Sequence, residues 1–317
     1  MKDLVKKIFS NTLEFPKYMQ LKSKLTQFSI LLFTYALFST LLLFDIEGGI
    51  NLQQNEIFFN ALVNLVILNL LSLIYFIIKK SLDDKFIVPQ NLIISTNIIF
   101  LVIHPTSSFI DMAIIFAAIL IINGIIRYKG FPVFNPAAIA IFCVFIISSI
   151  LFNLGLVKET IFVSWWGANL VKGIDPTSLF TSILGLILTF VFVYYSYAFR
   201  KWAYGVIFII SYIVLRFVFI LFSANNLDIG LIAIFNSLYT LLIFFAFVML
   251  SEPKTTPLRN IAQLFYGFIA AFIYFLLFTA RNLDLLRVLD INFDEMVEVI
   301  TILIMNLIFL IQKYFKK

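Results

Sequence analysis

The chain has one cysteine, one histidine and few charges for its 317 residues. The cysteine, Cys143, lies inside an apolar run, so an intrachain disulfide and a thiolate metal cluster are both excluded. The histidine, His104, has no second imidazole with which to hold haem or zinc. Charged residues make up 13% against 62% hydrophobic ones, and the mean hydropathy is +1.05. A soluble domain carries roughly 45–50% apolar and about 25% charged residues, and a fold of this length could not cover the excess. Disorder fails on the same ground, because 39 Phe and 13 Tyr do not make a solvating composition. A nucleotide-binding loop and a soluble reductase domain are also missing. What remains is a polytopic membrane protein whose solvent is the lipid bilayer.

The net charge of +6 and the pI near 9.2 do not point to nucleic acid, because Lys and Arg sit in short clusters between apolar runs. About 20 apolar residues cross a bilayer as a helix. Ten windows meet or approach that length: 26–44, 57–78, 86–103, 109–126, 136–154, 178–199, 202–222, 229–250, 261–280 and 298–313. With the N-terminus inside, eighteen Lys and Arg fall on the inner side and four on the outer, with Arg216 inside a span. That bias predicts both termini in the cytoplasm. The basic stretch 1–25 is too long and polar for a cleaved signal peptide and is expected to be a cytoplasmic segment. The expected architecture is all-α, a single integral membrane domain over 1–317 with about ten transmembrane helices. Residues 26–154 form a first five-helix half, 155–177 an outward loop and 178–317 a second half. Trp165 and Trp166 in that loop are expected to anchor at the interface.

An internal similarity suggests that the halves are inverted repeats. His104-Pro105-Thr106-Ser107-Ser108 ends the third span and Ser251-Glu252-Pro253-Lys254-Thr255-Thr256-Pro257 ends the eighth. Each puts a proline and then hydroxyl residues between two apolar runs. Five spans lie between them, so the two breaks face opposite sides. The alternatives are a pair of capped turns or broken helices whose ends face a ligand.

Phe134-Asn135-Pro136-Ala137-Ala138 opens the fifth span. Asn caps, Pro suits the first helical turn and the alanines permit close packing. Arg216, inside the seventh span, costs on the order of 3 kcal/mol unless it is paired or reaches an interface. It can snorkel, pair with Asp111, or face an anion such as a phosphate. Asn60, Asn64 and Asn69 in the second span suit interhelical hydrogen bonds or a polar ion path. The abundant aromatic residues are assigned no redox role.

Together, Phe134–Ala138 and Ser251–Pro257 resemble elements of the NqrB/RnfD family. Its members are the membrane subunits B of the sodium-translocating NADH:quinone reductase and D of the Rnf ferredoxin:NAD complex. The resemblance implies ten helices in two inverted halves and a place in a bacterial cytoplasmic (inner) membrane. It also implies partner subunits that deliver and remove electrons. The cofactor implied is FMN, held through a phosphoester to a Thr in the loop before the sixth helix, with a second, non-covalent flavin. Here that place reads Gly173-Ile174-Asp175-Pro176-Thr177-Ser178, so Thr177 stands at the acceptor position with Asp175 upstream. The Ser-Gly-Ala that precedes the family's Thr is absent. Carried over by position, the cofactor-binding residues are Thr177, Asp175, Asn135, Pro136, Glu252, Pro253, Lys254, Thr255 and Thr256, and Arg216 joins them by its charge as a partner for the flavin phosphate. The function implied is a flavin-binding subunit of a respiratory-type electron transport complex, with coupling to Na+ or H+ translocation. The alternatives are a small-solute transporter or channel on the same scaffold, and an assembly subunit without cofactor.

Overall fold

The computed structural model describes residues 23–42, 52–82, 89–104, 107–128, 131–157, 161, 163–165, 179–223, 240–251, 255–257, 259–283, 285–288 and 291–315. Ten α-helices lie among them. The first five are α1 Lys24–Leu42, α2 Leu52–Leu82, α3 Pro89–Val102, α4 Phe109–Ile125 and α5 Pro136–Asn153. The second five are α6 Leu179–Ala198, α7 Trp202–Ser223, α8 Thr240–Phe244, α9 Asn260–Asn282 and α10 Val297–Phe315. Each falls on one of the ten apolar windows. Among the described residues, four stretches are long and apolar enough to cross a membrane: Glu56–Leu82, Pro136–Asn153, Trp202–Leu221 and Ile261–Arg281.

The pattern of burial suits lipid. Ile261, Phe190 and Phe265 are 83%, 73% and 66% exposed, so large apolar side chains face outward. The interior holds hydroxyls among its apolar side chains. Ser39, Thr40, Ser72 and Ser81 are buried, and each donates to the carbonyl four residues back, which satisfies it within its own helix.

Two compact units divide the chain, Met1–Ala117 and Ala118–Lys317. In the first, α3 packs on both α1 and α2. The Asn69 and Asn97 side-chain amides each donate to the other at 3.3 Å, and Ser72 Oγ donates to Thr96 Oγ1 at 3.3 Å. Asn64 Nδ2 donates to the Ser107 carbonyl at 2.9 Å. Asn64 and Asn69 are therefore interhelical fasteners, while Asn60 is exposed. Asp111 closes a capping box at the start of α4. Its Oδ2 accepts from Ser108 N and Oγ at 3.0 and 2.7 Å, and its own N–H donates to Ser108 Oγ at 3.2 Å.

In the second unit α7 and α9 lie closest together. Gly267 makes this possible, since a Cβ there would sit 2.8 Å from the Tyr204 carbonyl oxygen and 3.1 Å from Ile207 Cβ. The obstacle is backbone and cannot swing aside. Gly267→Ala is expected to cost about 1–3 kcal/mol by overpacking. The check is the thermal midpoint of the detergent-solubilised variant, and an unchanged midpoint would mean the helix pair separates freely.

Two small hairpins add to the helices. The strands β1 Arg127–Tyr128 and β2 Phe131–Pro132 pair antiparallel, as do β3 Arg287–Val288 and β4 Ile291–Asn292. Strands of two residues are too short to show a period of two, so the sequence reads both regions as plain connections. One order of elements thereby occurs twice: helix, proline-containing break, helix, hairpin, helix. It runs α3 to α5 and again α8 to α10.

Candidate functional site: a buried polar junction

The start of α5 is buried throughout, from Asn135 to Ile141. Asn135 Oδ1 accepts from Ala137 N and Ala138 N at 3.0 and 3.1 Å, and the Asn135 carbonyl accepts from Ile139 N at 3.0 Å. Pro136 has no N–H to satisfy. The cap therefore uses the free amides of this helix start, and none is left for an anion. Asn135 also reaches two other elements. Its backbone N–H donates to Asn306 Oδ1 at 2.7 Å, and its Nδ2 to the Met249 carbonyl at 3.4 Å. Asn306 stands midway along α10, so α5 begins beside the middle of a neighbouring helix.

Met249 ends a π-helical turn, Phe245–Met249, that continues α8. The Leu250 N–H reaches back five residues to the Phe245 carbonyl at 2.8 Å. Such turns cost hydrogen-bond regularity and are frequent at functional sites. Gly205 of α7 makes room for this one, because a Cβ there would lie 2.5 Å from the Phe247 ring. Ser251 follows, and its hydroxyl donates to the Phe247 carbonyl.

Next along the chain are Thr255, Thr256 and Pro257, all buried. The Lys201 ammonium, itself 0% exposed, donates to the Thr256 and Pro257 carbonyls at 2.7 Å each. A Schellman motif at the end of α6 aims it there. The Lys201 N–H bonds the Ser196 carbonyl and the Arg200 N–H the Tyr197 carbonyl, both at 2.8 Å, with Arg200 left-handed at φ 60°. Gln263 Nε2 on α9 donates to the Arg200 carbonyl at 2.6 Å. The corner between α6 and α7 thus holds the chain that leads into α9.

An aromatic cluster lies between the π turn and the start of α10. Phe245 stacks on Tyr274 with ring centroids 5.4 Å apart, Tyr274 meets Tyr212 at 5.0 Å, and Phe208 meets Phe245 at 5.3 Å. The Tyr274 hydroxyl donates to Glu298 Oε1 at 3.0 Å, and both residues are buried. Arg216 holds its guanidinium 4.9 Å from the Phe278 ring centroid, a cation–π contact that sequence reasoning did not anticipate. Its Nε is buried without a hydrogen bond among the described residues. Asp111, weighed as its partner, is used in the capping box of α4.

Trp165 departs from expectation. It is 4% exposed, has φ 52°, and donates from Nε1 to the Glu295 carbonyl at 3.2 Å, so it is a packed residue and not an interfacial anchor. The Glu295 carboxyl, in the 3-10 turn Asp294–Met296 ahead of α10, is pushed up from 4.5 to about 7. Burial is the cause, opposed by the charge of Arg281 and a hydrogen bond from the Val163 backbone. A carboxyl raised on folding binds more protons folded than unfolded. Its contribution to stability is complete below about pH 4.5 and is lost as the pH rises through about 7. Glu295→Gln should flatten the pH dependence of the melting midpoint across that window. A profile that keeps its slope would assign the dependence to another group.

Of the ten residues expected to bind cofactor, the structure joins Asn135 and Pro136 to the π turn that leads into Ser251–Pro257. Thr255 and Thr256 lie on the Lys201 corner, and Arg216 lies by Phe278. Thr177, Asp175, Glu252, Pro253 and Lys254 fall outside the described residues. Lys201, Asn306, Tyr274 and Glu298 were not singled out. An Arg-Lys pair between spans reads as an ordinary inner flank, and a lone Asn or a Glu near a helix start has no local signal. An apolar cleft of about 490 Å³, lined by Phe134, Phe142, Phe293 and Ile300 among others, opens beside the junction and has no polar group to orient a phosphate. No family model, curated protein or solved structure matches the chain.

Proposed function

We propose that the chain is a flavin-binding membrane subunit of a respiratory-type electron transport complex of the NqrB/RnfD kind. In this reading it works between partner subunits, in a bacterial inner membrane, with its termini in the cytoplasm, and couples electron flow to Na+ or H+ movement. The observation that carries it is the hydrogen bond from Asn135 to the Met249 carbonyl. It ties the first of the two motifs that carry the family resemblance to a residue more than a hundred positions on, two before the second motif begins. The repeated order of helix, break, helix, hairpin and helix supports a plan of two inverted five-helix halves.

The residues also bear on how a flavin would be held. The amides at the start of α5 are used by Asn135, and the Lys201 ammonium is held by two carbonyls, so both act as positioning groups. Arg216 keeps a donor unused among the described residues and has the shape to grip a flavin phosphate. Thr177 is the proposed attachment point. The flavin supplies the electron-carrying chemistry, while the chain binds it, orients it and keeps water away.

The test is to purify the protein after co-expression with a flavin transferase, denature it, and look for flavin fluorescence on the gel band. Thr177→Ala is run alongside. A fluorescent band that the variant loses establishes covalent flavin. A dark band with flavin in the extract, reduced in Arg216→Ala, establishes non-covalent binding. Neither signal favours the second reading, a small-solute transporter. What supports that reading is the position of two helix starts, α4 beside Asn64 of α2 and α5 beside Asn306 of α10, away from their neighbours' ends.

A further inference from the structure

The Glu298 carboxyl is the one acid among the described residues that is buried within a helix, at 3% exposed. Among the described residues it forms no ion pair. Its partner is the Tyr274 phenol of α9, whose hydroxyl donates to Oε1 at 3.0 Å. Phe208, Tyr212, Phe245 and Phe278 pack against the other side of Tyr274 with centroids 5.0 to 6.2 Å away. A carboxylate in such a place is costly, and a protein that needed only packing would be better served by an apolar residue. The charged and titratable groups that act on the pair are few. Arg281 of α9 acts on both members, Tyr212 of α7 acts on Tyr274, and Glu295 lies three residues before Glu298 in the turn, beside Asp294. Arg281 and Asp294 are close enough to be felt as charges. Glu295 is half-buried and accepts a hydrogen bond from the Val163 backbone.

We infer that Glu298 and Tyr274 form a proton-binding site. The Glu298 carboxylate takes up a proton from water and releases it to water again. No bond other than O–H changes, and no oxidant or reductant is needed. Tyr274 holds the carboxylate in place by donating its hydrogen bond, and releases it when Glu298 becomes the donor. This deepens the proposed function by naming the proton as the coupled ion. It does not need the flavin reading to hold, because the test reads the carboxyl itself.

The full-length protein in lipid vesicles is treated with N,N′-dicyclohexylcarbodiimide, which partitions into apolar sites and adds to protonated carboxyls. The carboxyl oxygen bonds to the central carbon, its proton goes to nitrogen, and rearrangement gives a stable N-acylurea with nothing lost. Mass spectrometry of the peptides should place the adduct on Glu298, with labelling that falls as the pH rises. A water-soluble carbodiimide should label Glu295 and leave Glu298 untouched. In Tyr274→Phe the hydrogen bond that favours the ionised form is gone, so Glu298 labelling should persist to higher pH. That variant keeps the ring and its stacking, and the wild-type pH series stands without it. Absence of label on Glu298 at every pH overturns the inference, as does a pH profile identical in wild type and Tyr274→Phe. Flavin content in the same preparations reports separately on the electron-transport reading.

Discussion

Replacing Lys201 by Met is expected to lower the thermal midpoint of the detergent-solubilised protein by roughly 5 °C or more. The ammonium is 0% exposed and donates to the Thr256 and Pro257 carbonyls at 2.7 Å each. Methionine fills a similar volume but donates nothing. Each buried carbonyl left without a partner costs about 1–3 kcal/mol. The two together cost about 3 kcal/mol or more. Lys201→Arg is not expected to restore the loss, because a planar guanidinium does not fit the place of a compact ammonium aimed at two oxygens. The loss should also be local. Limited proteolysis should cut first between Ser251 and Arg259, since that segment is what the lysine holds. A variant with an unchanged midpoint and no new cleavage would show that the carbonyls find another donor.

The second large effect is expected at Asn135. Asn135→Ala removes the acceptor for two amides at the start of α5 and the donor to Met249. A lost N-cap costs about 1 kcal/mol, and the buried groups left unpaired bring the total to about 3 kcal/mol. Asn135→Asp separates the two roles. It keeps the cap acceptor and adds a charge that suits a helix start. It cannot donate to the Met249 carbonyl and instead sets an anion against it. If the link to the π turn serves the proposed function, Asn135→Asp should fold better than Asn135→Ala yet lose the proposed flavin binding to the same degree. Asn306→Ala supplies the other leg, since it leaves the Asn135 N–H without its 2.7 Å acceptor. Residues in one network couple by about 0.5–3 kcal/mol, so the double variant should cost less than its parts combined. Simple additivity, measured by melting in detergent, would dissolve the junction into independent contacts.

The sequence by itself determined the solvent and the helices. Long apolar runs have one low-cost conformation in lipid, where every backbone group must be satisfied within its own segment. For that reason each described part of the ten windows is helical, end residues apart, and the third is so despite Pro89, which stands at its first position where a missing N–H costs nothing. The cap at Asn135 was legible for a similar reason, since Asn-Pro before a helix is a local signal.

The partners of that cap were decided only by the tertiary structure. Nothing near Asn135 in sequence names Met249 or Asn306, both more than a hundred residues away. Trp165 read as an anchor because interfacial Trp is common, yet packing buries it against Glu295. Arg216 allowed three readings in sequence, snorkelling, pairing with Asp111 or facing an anion, and an aromatic ring on another helix answers part of its charge. Lys201 is the plainest case. In the sequence it is one of many basic residues between spans, and only the turn of the chain after α6 carries its ammonium inward onto a break fifty-five residues on. Helix formation in a membrane is a local matter of composition and length. Which polar groups meet inside is set by how helices distant in sequence come together, and periodicity carries no record of that.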